Sequence, residues 1–382
     1  MAVLLFVFVF GLTGVYYRIY NFSEWNDEPN RPSAYRVNEY AYHFSDSASV
    51  IDFGVQPLWT PASVITQVMS NDQVLKEMLE KENVQLHFHP FFQGADMMER
   101  VKDNQLEGGV AGDMPVLMGM KYKQLEVVAP IQQGYTSIVS SKYSLIEDLK
   151  NKKIGYSYGT NAHFGFVSSM ALHGIDEHSY QLVPMNIYQM IEALHQGEID
   201  AFTAWEPIPS MAVHKYSEQV SIHKTNTMGF LFFTHDFYVS NPNVVKIIVA
   251  AELRAFNWLQ ASRNNLLKGV EWSLFETNRF MGNGKVELTN YQLSTLAKKD
   301  LLANADLPPL SNEDLDSTGF IRARFLLLKQ MGFLSDTISW TKIKSEFNQN
   351  ILPEIQKNPT KYRIYDFNYI PVNNSQNTEP YD

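Results

Sequence analysis

The stretch KIGYSYGTNAHFGF, Lys153 to Phe166, sets Gly159, Thr160 and Asn161 where a strand-like run gives way to a helix-like one. The first N–H groups of a helix lack internal partners and carry partial positive charge. A carboxylate, sulfonate or nitrate can accept those donors. Gly159 lets backbone approach closely, and Thr160 and Asn161 can add side-chain bonds. His163, inside the same helix, is placed to reach a ligand held there. The competing reading of these residues is an ordinary helix cap.

A second set of candidates comes from an internal echo. QGADMMERVKDNQLEGGVAGDMP and NIYQMIEALHQGEIDAFTAWEP align at one offset of 93 residues. Glu99 lies 14 residues before Asp113, and Glu192 lies 14 before Glu206. Gln93 falls opposite Asn186, and Val110 opposite Thr203. Gln93 and Gly94 open one helix and offer a donor edge. Asn186 opens the other as an N-cap, with Ile187, Met190, Ile191 and Leu194 on one face. Trp205 sits beside Glu206 and Pro207 in the turn that follows. Asp113 and Glu206 therefore occupy equivalent turns. No Lys or Arg stands in the candidate turns, and a buried carboxylate wants a positive partner. That favours a small organic ligand with an amine or protonatable ring over a bare inorganic anion. A structural salt bridge or an N-cap accounts for the same acids equally well.

His87 and His89 fall on one face of a strand, HFH, and two histidines can begin a metal site. No third ligand is set by spacing, so neither a metal nor any other cofactor is expected, and solvent-facing positions are expected for the pair. The G-x-S-x-G, G-x-x-x-x-G-K and H-E-x-x-H patterns are absent. The chain therefore has no sequence sign of hydrolysing nucleotide or of driving transport itself.

The elements that must position these residues alternate. VIDFGVQPLW reads as a strand, VITQVMSNDQVLKEMLEKEN as one helix, VQLHFHPFF as a strand and GADMMERVKDNQL as a helix. GGVAGDMP reads as a short buried strand with a turn. Such alternation specifies an α/β fold with mostly parallel sheets, and ligands bind beyond the carboxyl ends of such strands. The 382 residues can bury a core of two lobes, with 45% apolar and 13% aromatic residues. The net charge of −10, without a basic run, argues against nucleic acid as a partner. Cysteine is absent, which excludes disulfides, thiolate metal sites and a Cys nucleophile. MAVLLFVFVFGLTGVYY is apolar up to Arg18 and reads as a membrane anchor or export signal over residues 1–20, with a polar tether over 21–47. Either reading puts the remainder outside the cytoplasm.

Several stretches together resemble the periplasmic-type substrate-binding proteins of the nitrate, sulfonate and taurine ABC importers, a superfamily shared with thiamine-precursor-binding proteins. They are FGVQPLWTPAS, FFQGADMMERVKDNQLEGGVAGDMP, VVAPIQQGYTSIVSSKYSLIEDLKNKKIGYSYGTNAHF, MIEALHQGEIDAFTAWEP and LLKQMGFLSD. The resemblance implies a two-lobed type 2 periplasmic-binding-protein-like fold, each lobe a mostly parallel sheet flanked by helices. Lobe 1 would hold residues 48–134 plus 236–345, lobe 2 residues 135–235, and 346–382 would be a C-terminal extension with a disordered end. It further implies a small ligand between hinged lobes, delivered by a monomer to a membrane ABC permease. It assigns ligand contacts to the glycine turn, to the WEP turn, and to Gln56 and Trp59 after the first strand. It places Gln133 and Gly134 at the hinge, where Gln133 would touch ligand or the pair would only supply the bend. Trp59 would stack on a flat ligand or simply wall the cleft. Two other functions fit the same lobes: a sensory module reporting to a membrane receptor, and a pyrimidine-synthase-like enzyme. No lysine suited to a Schiff base stands in the candidate turns, which ranks the enzyme last.

Overall fold

Three parallel strands closed by one antiparallel strand form twice along the chain. In the computed structural model, residues 41–282, 286–303, 310, 312–316 and 318–370 are described. The expected anchor, most of the tether and the last twelve residues lie outside that set. No helix among the described residues is long and apolar enough to cross a membrane.

The strands are β1 Val50–Val55, β2 Gln85–Pro90, β3 Gly108–Gly112, β4 Leu125–Ser140, β5 Lys153–Tyr156, β6 Gln181–Pro184, β7 Ala201–Trp205 and β8 Val220–Thr234. One compact unit takes in the described parts of Asn38–Gly134, Thr227–Glu313 and Thr341–Asp382. The other holds Tyr135–Asn226 and Asp314–Trp340. In the first, β1 pairs parallel with β2 and β3, and β3 pairs antiparallel with β8. In the second, β5 pairs parallel with β6 and β7, and β7 pairs antiparallel with β4. The offset read from sequence maps β3 residue for residue onto β7. It also maps the helix Gly94–Lys102 onto the 3-10 turn Ile187–Gln189 and the helix Met190–His195. Both β3 and β7 are buried throughout, which explains their unbroken small and apolar composition.

Three boundaries differ from the sequence reading. The single helix expected after β1 is two, Ala62–Ser70 and Gln73–Lys81. Asp72 sits between them, and its Oδ1 accepts from the N–H groups of Val74 (2.9 Å) and Leu75 (3.2 Å), so it starts a new helix. Residues 314–340, expected in lobe 1, group with Tyr135–Asn226. There Phe333 packs edge-on to Phe164 with ring centroids 5.0 Å apart, and the Arg324 guanidinium donates to the Asn226 carbonyl.

The segment 346–370, expected as an extension, is built into the first unit. Val127 N–H donates to Glu346 O and Asn348 N–H to Val127 O, both at 2.8 Å. Arg254, fully buried on the helix Pro242–Ala261, donates Nε–H to Asp72 Oδ2 at 2.7 Å. Its Nη1 donates to the carbonyls of Tyr362 (3.2 Å) and Arg363 (3.1 Å). The backbone of Asn368 and Ile370 then bonds to Gln73 and Asn71. On the same helix, burial pushes the Glu252 carboxyl well above its usual range.

Candidate functional site

Within each unit, the candidate residues other than Gln133, which lies on β4, fall on the carboxyl edge of the three parallel strands. Their register puts neighbouring strand ends side by side: Val55 opposite Pro90 in one unit, and Tyr156 opposite Pro184 in the other.

In the first unit, Gln56 and Trp59 leave the end of β1, both more than nine-tenths buried. The Trp59 ring lies on Gly229 of β8. A Cβ built at Gly229 would stand 2.3 Å from Trp59 Cη2 and 3.1 Å from Ile131 Cγ2. The missing side chain therefore makes the seat for the indole, and nothing in the local sequence of either residue announces the pairing. Gly229→Ala is expected to displace Trp59 and cost about 1–3 kcal/mol through overpacking. Urea melts and the near-ultraviolet circular dichroism of the indole check it; unchanged values for both would refute the seat.

Gln93 occupies the N-cap of Gly94–Lys102 in an extended conformation without bonding to that helix. Gly94 is needed for close packing, since a Cβ there would meet Pro115 at 3.0 Å and Ala111 at 3.1 Å. Asp113 is fully buried, and its Oδ1 accepts from Met114 N–H at 2.9 Å. Gln133 faces solvent. Its neighbour Gln132 is buried, and its Oε1 accepts from Ala62 N–H at 2.9 Å, capping the helix that follows Trp59. Period-two alternation along β4 decides which of the two glutamines points inward.

In the second unit, Gly159 takes φ +69°, the left-handed region that glycine enters without strain. Its N–H donates to His163 Nδ1 at 3.4 Å. Thr160 Oγ1 donates to the Ser157 carbonyl at 2.7 Å and accepts from His163 N–H at 3.3 Å. The cap reading of the turn therefore holds for Thr160, while Asn161 opens the helix half-buried. His163 is almost wholly buried among Tyr156, Tyr158, Phe164 and Phe333. Burial pushes its imidazole down to about 3, so it is neutral and serves as an acceptor that braces the glycine turn. Asn186 follows β6, and Ser157 Oγ donates to the carbonyl of the preceding Met185 at 3.3 Å. Trp205 ends β7, nearly buried. Glu206 Oε2 accepts from Ser210 N–H at 3.2 Å at the start of the helix Ile208–Lys215.

The HFH pair departs from expectation. His87 is exposed, but His89 is buried and bonds through Nε2 to Asp52 Oδ1 at 2.7 Å. The two share a face, yet Phe44 covers only His89, with ring centroids 4.9 Å apart. Ser45 N–H donates to Asp52 Oδ2 at 2.7 Å, so the end of the expected tether is fastened to the unit. Among the described residues, no group of three or more His, Cys, Asp or Glu is placed to hold a metal ion.

Residues 76–264 match the family model described as NMT1/THI5 like. The chain is 21% identical over 196 residues to a Bacillus subtilis protein named for binding aliphatic sulfonates, across 48% of this chain and 58% of that one. It is 22% identical over 174 residues to the taurine-binding periplasmic protein of Escherichia coli, across 43% and 54%. The matches thus span little more than half the length of these relatives. Among solved structures, the alkanesulfonate-binding protein SsuA from Xanthomonas axonopodis pv. citri, bound to MOPS, aligns with a TM-score of 0.60 at 15% identity, covering 80% of this chain and 99% of that one. The shared fold is the α/β periplasmic-binding-protein fold, with helices flanking mixed sheet.

Proposed function

Because residues 76–264 match the NMT1/THI5-like family model, we propose that the chain is an extracytoplasmic solute-binding protein of that family that hands a small organic ligand to an ABC permease. The ligand is sulfonate-, amine- or pyrimidine-like, and the chain binds it without transforming it. One observation supports this above the others: the repeated βαβ topology collects amides and an aromatic on the carboxyl edge of parallel strands in each unit, with a helix-opening glycine turn in the second. Ligands of open α/β sheets bind at that edge. The candidate contacts within the first unit are Gln56, Trp59, Gln93 and Asp113, and the candidates within the second unit are Gly159, Asn161, Asn186, Trp205 and Glu206. Thr160 and His163 shape the glycine turn from behind.

Isothermal titration and thermal-shift screening of the purified chain test the reading, with 2-aminoethanesulfonate, ethanesulfonate, aminopyrimidines and small amines as probes. At least one probe is expected to release or absorb heat saturably and to raise the melting temperature. No heat and no stabilisation from every class would overturn it.

A further inference from the structure

Gln93 and Asn186, related by the 93-residue offset, share more than position. Each opens a helical segment from an extended conformation, with φ −149° and ψ 153° at Gln93, and φ −70° and ψ 140° at Asn186. A polar residue in that place ordinarily turns its side chain onto the first helical N–H groups. Neither does so. Both are more than nine-tenths buried, at 7% and 8% exposure. The Asn186 Nδ2 group has no hydrogen-bond partner among the described residues.

A buried amide donor without an acceptor costs about 1–3 kcal/mol, and a leucine of similar size would avoid that cost. The neighbouring acids are different, because they have protein donors. Asp113 accepts from Met114 N–H, and Glu206 accepts from Ser210 N–H. The edges therefore hold acids engaged with backbone and amides that are not capping. The Ser157–Met185 hydrogen bond keeps Asn186 beside the glycine turn of its own unit.

We propose that Asn186 is a specificity-determining residue that reads an acceptor oxygen of the ligand through its neutral amide N–H group rather than through a cation. This assignment rests on the solute-binding reading above. It shifts the balance away from the amine that the two acids alone suggested. It also implies a trade of stability for recognition: the empty protein carries an unmet donor that the ligand satisfies. Affinity should depend little on salt, because no formal cation is in play.

Asn186→Leu and Asn186→Asp in the full chain test it. Each is titrated with ethanesulfonate, 2-aminoethanesulfonate, nitrate and ethylamine, and each is melted without ligand. Asn186→Leu is expected to weaken oxyanion binding about 10- to 100-fold while melting at or above the wild-type temperature, since an unmet donor is gone. Asn186→Asp should lose the oxyanion at least as strongly, because a carboxylate replaces the donor, and should gain affinity for ethylamine. Wild-type affinity in Asn186→Leu would overturn the assignment, as would a melting temperature several degrees lower, which marks a structural amide. Binding of ethylamine alone by the wild type would also overturn it. A wild type silent to every probe overturns the solute-binding reading instead, and the melting comparison still decides whether the amide is an unmet donor.

Discussion

Arg254→Met is expected to lower the stability of the first unit by about 3–5 kcal/mol, the range for breaking a buried ion pair from one side. Arg254 and Asp72 are both inaccessible to solvent, and their contact is 2.7 Å. Methionine fills much of the space but leaves the Asp72 carboxylate without its cation. The substitution also removes the two bonds that hold the carbonyls of Tyr362 and Arg363. The melting temperature should fall by roughly 10 °C at a domain of this size. Adding Asp72→Asn, which keeps an acceptor for Val74 and Leu75, should recover part of the loss, because the uncompensated charge goes with it. A double-mutant cycle measures that coupling. A single-variant loss under about 1 kcal/mol, or strictly additive losses, would show that the pair does not hold the segment 358–370 in place.

The second large effect concerns pH. Glu346 is buried, and one carboxyl oxygen accepts from Leu125 N–H at 2.8 Å while the other has no hydrogen-bond partner among the described residues. Burial is the main cause that pushes its carboxyl up to about 7, with Glu126 adding in the same direction. The Leu125 N–H and Lys342 oppose the shift without cancelling it. The folded protein therefore holds this proton more tightly than the unfolded chain, whose glutamate titrates near its ordinary value. The stabilisation is complete below about pH 4.5 and is lost as pH rises through about 7. The full span corresponds to about 3 kcal/mol. Glu346→Gln keeps an acceptor for Leu125 and cannot ionise. It should raise the melting temperature at pH 8.5 by several degrees and leave it nearly unchanged at pH 4.5. Parallel melting curves for variant and wild type across that interval, or a variant melting lower at pH 8.5, would count against the assignment.

Both effects involve the segment that the sequence reading treated as an appendage: Arg254 holds it from outside and Glu346 lies within it. Its residues carry no family pattern and end in a polar run, so nothing local marks them as part of a core. Their partners are far along the chain: Arg254 meets Asp72 across 182 residues, and Glu346 meets Leu125 across 221. Local periodicity cannot report such pairings.

What the chain's sequence determined by itself was the order of strands and helices, the α/β class and the repeat. These follow from burial periodicity and composition within short windows: uniformly apolar and small residues for β3 and β7, a 3.6-residue stripe for the helices between. The 93-residue echo was legible because two copies of one unit need the same apolar positions to cover the same kind of strand. Only the tertiary structure decided the fate of individual polar groups. His163 and His89 were ambiguous as letters; one became an acceptor inside an aromatic cluster and the other was covered by Phe44. Thr160 became a cap, Gln132 turned inward in place of Gln133, and Trp59 found its seat on Gly229. The reason is physical. Whether a polar side chain is satisfied, exposed or left wanting depends on which distant backbone or ring arrives beside it, and that is settled by packing between elements, not by the spacing within one.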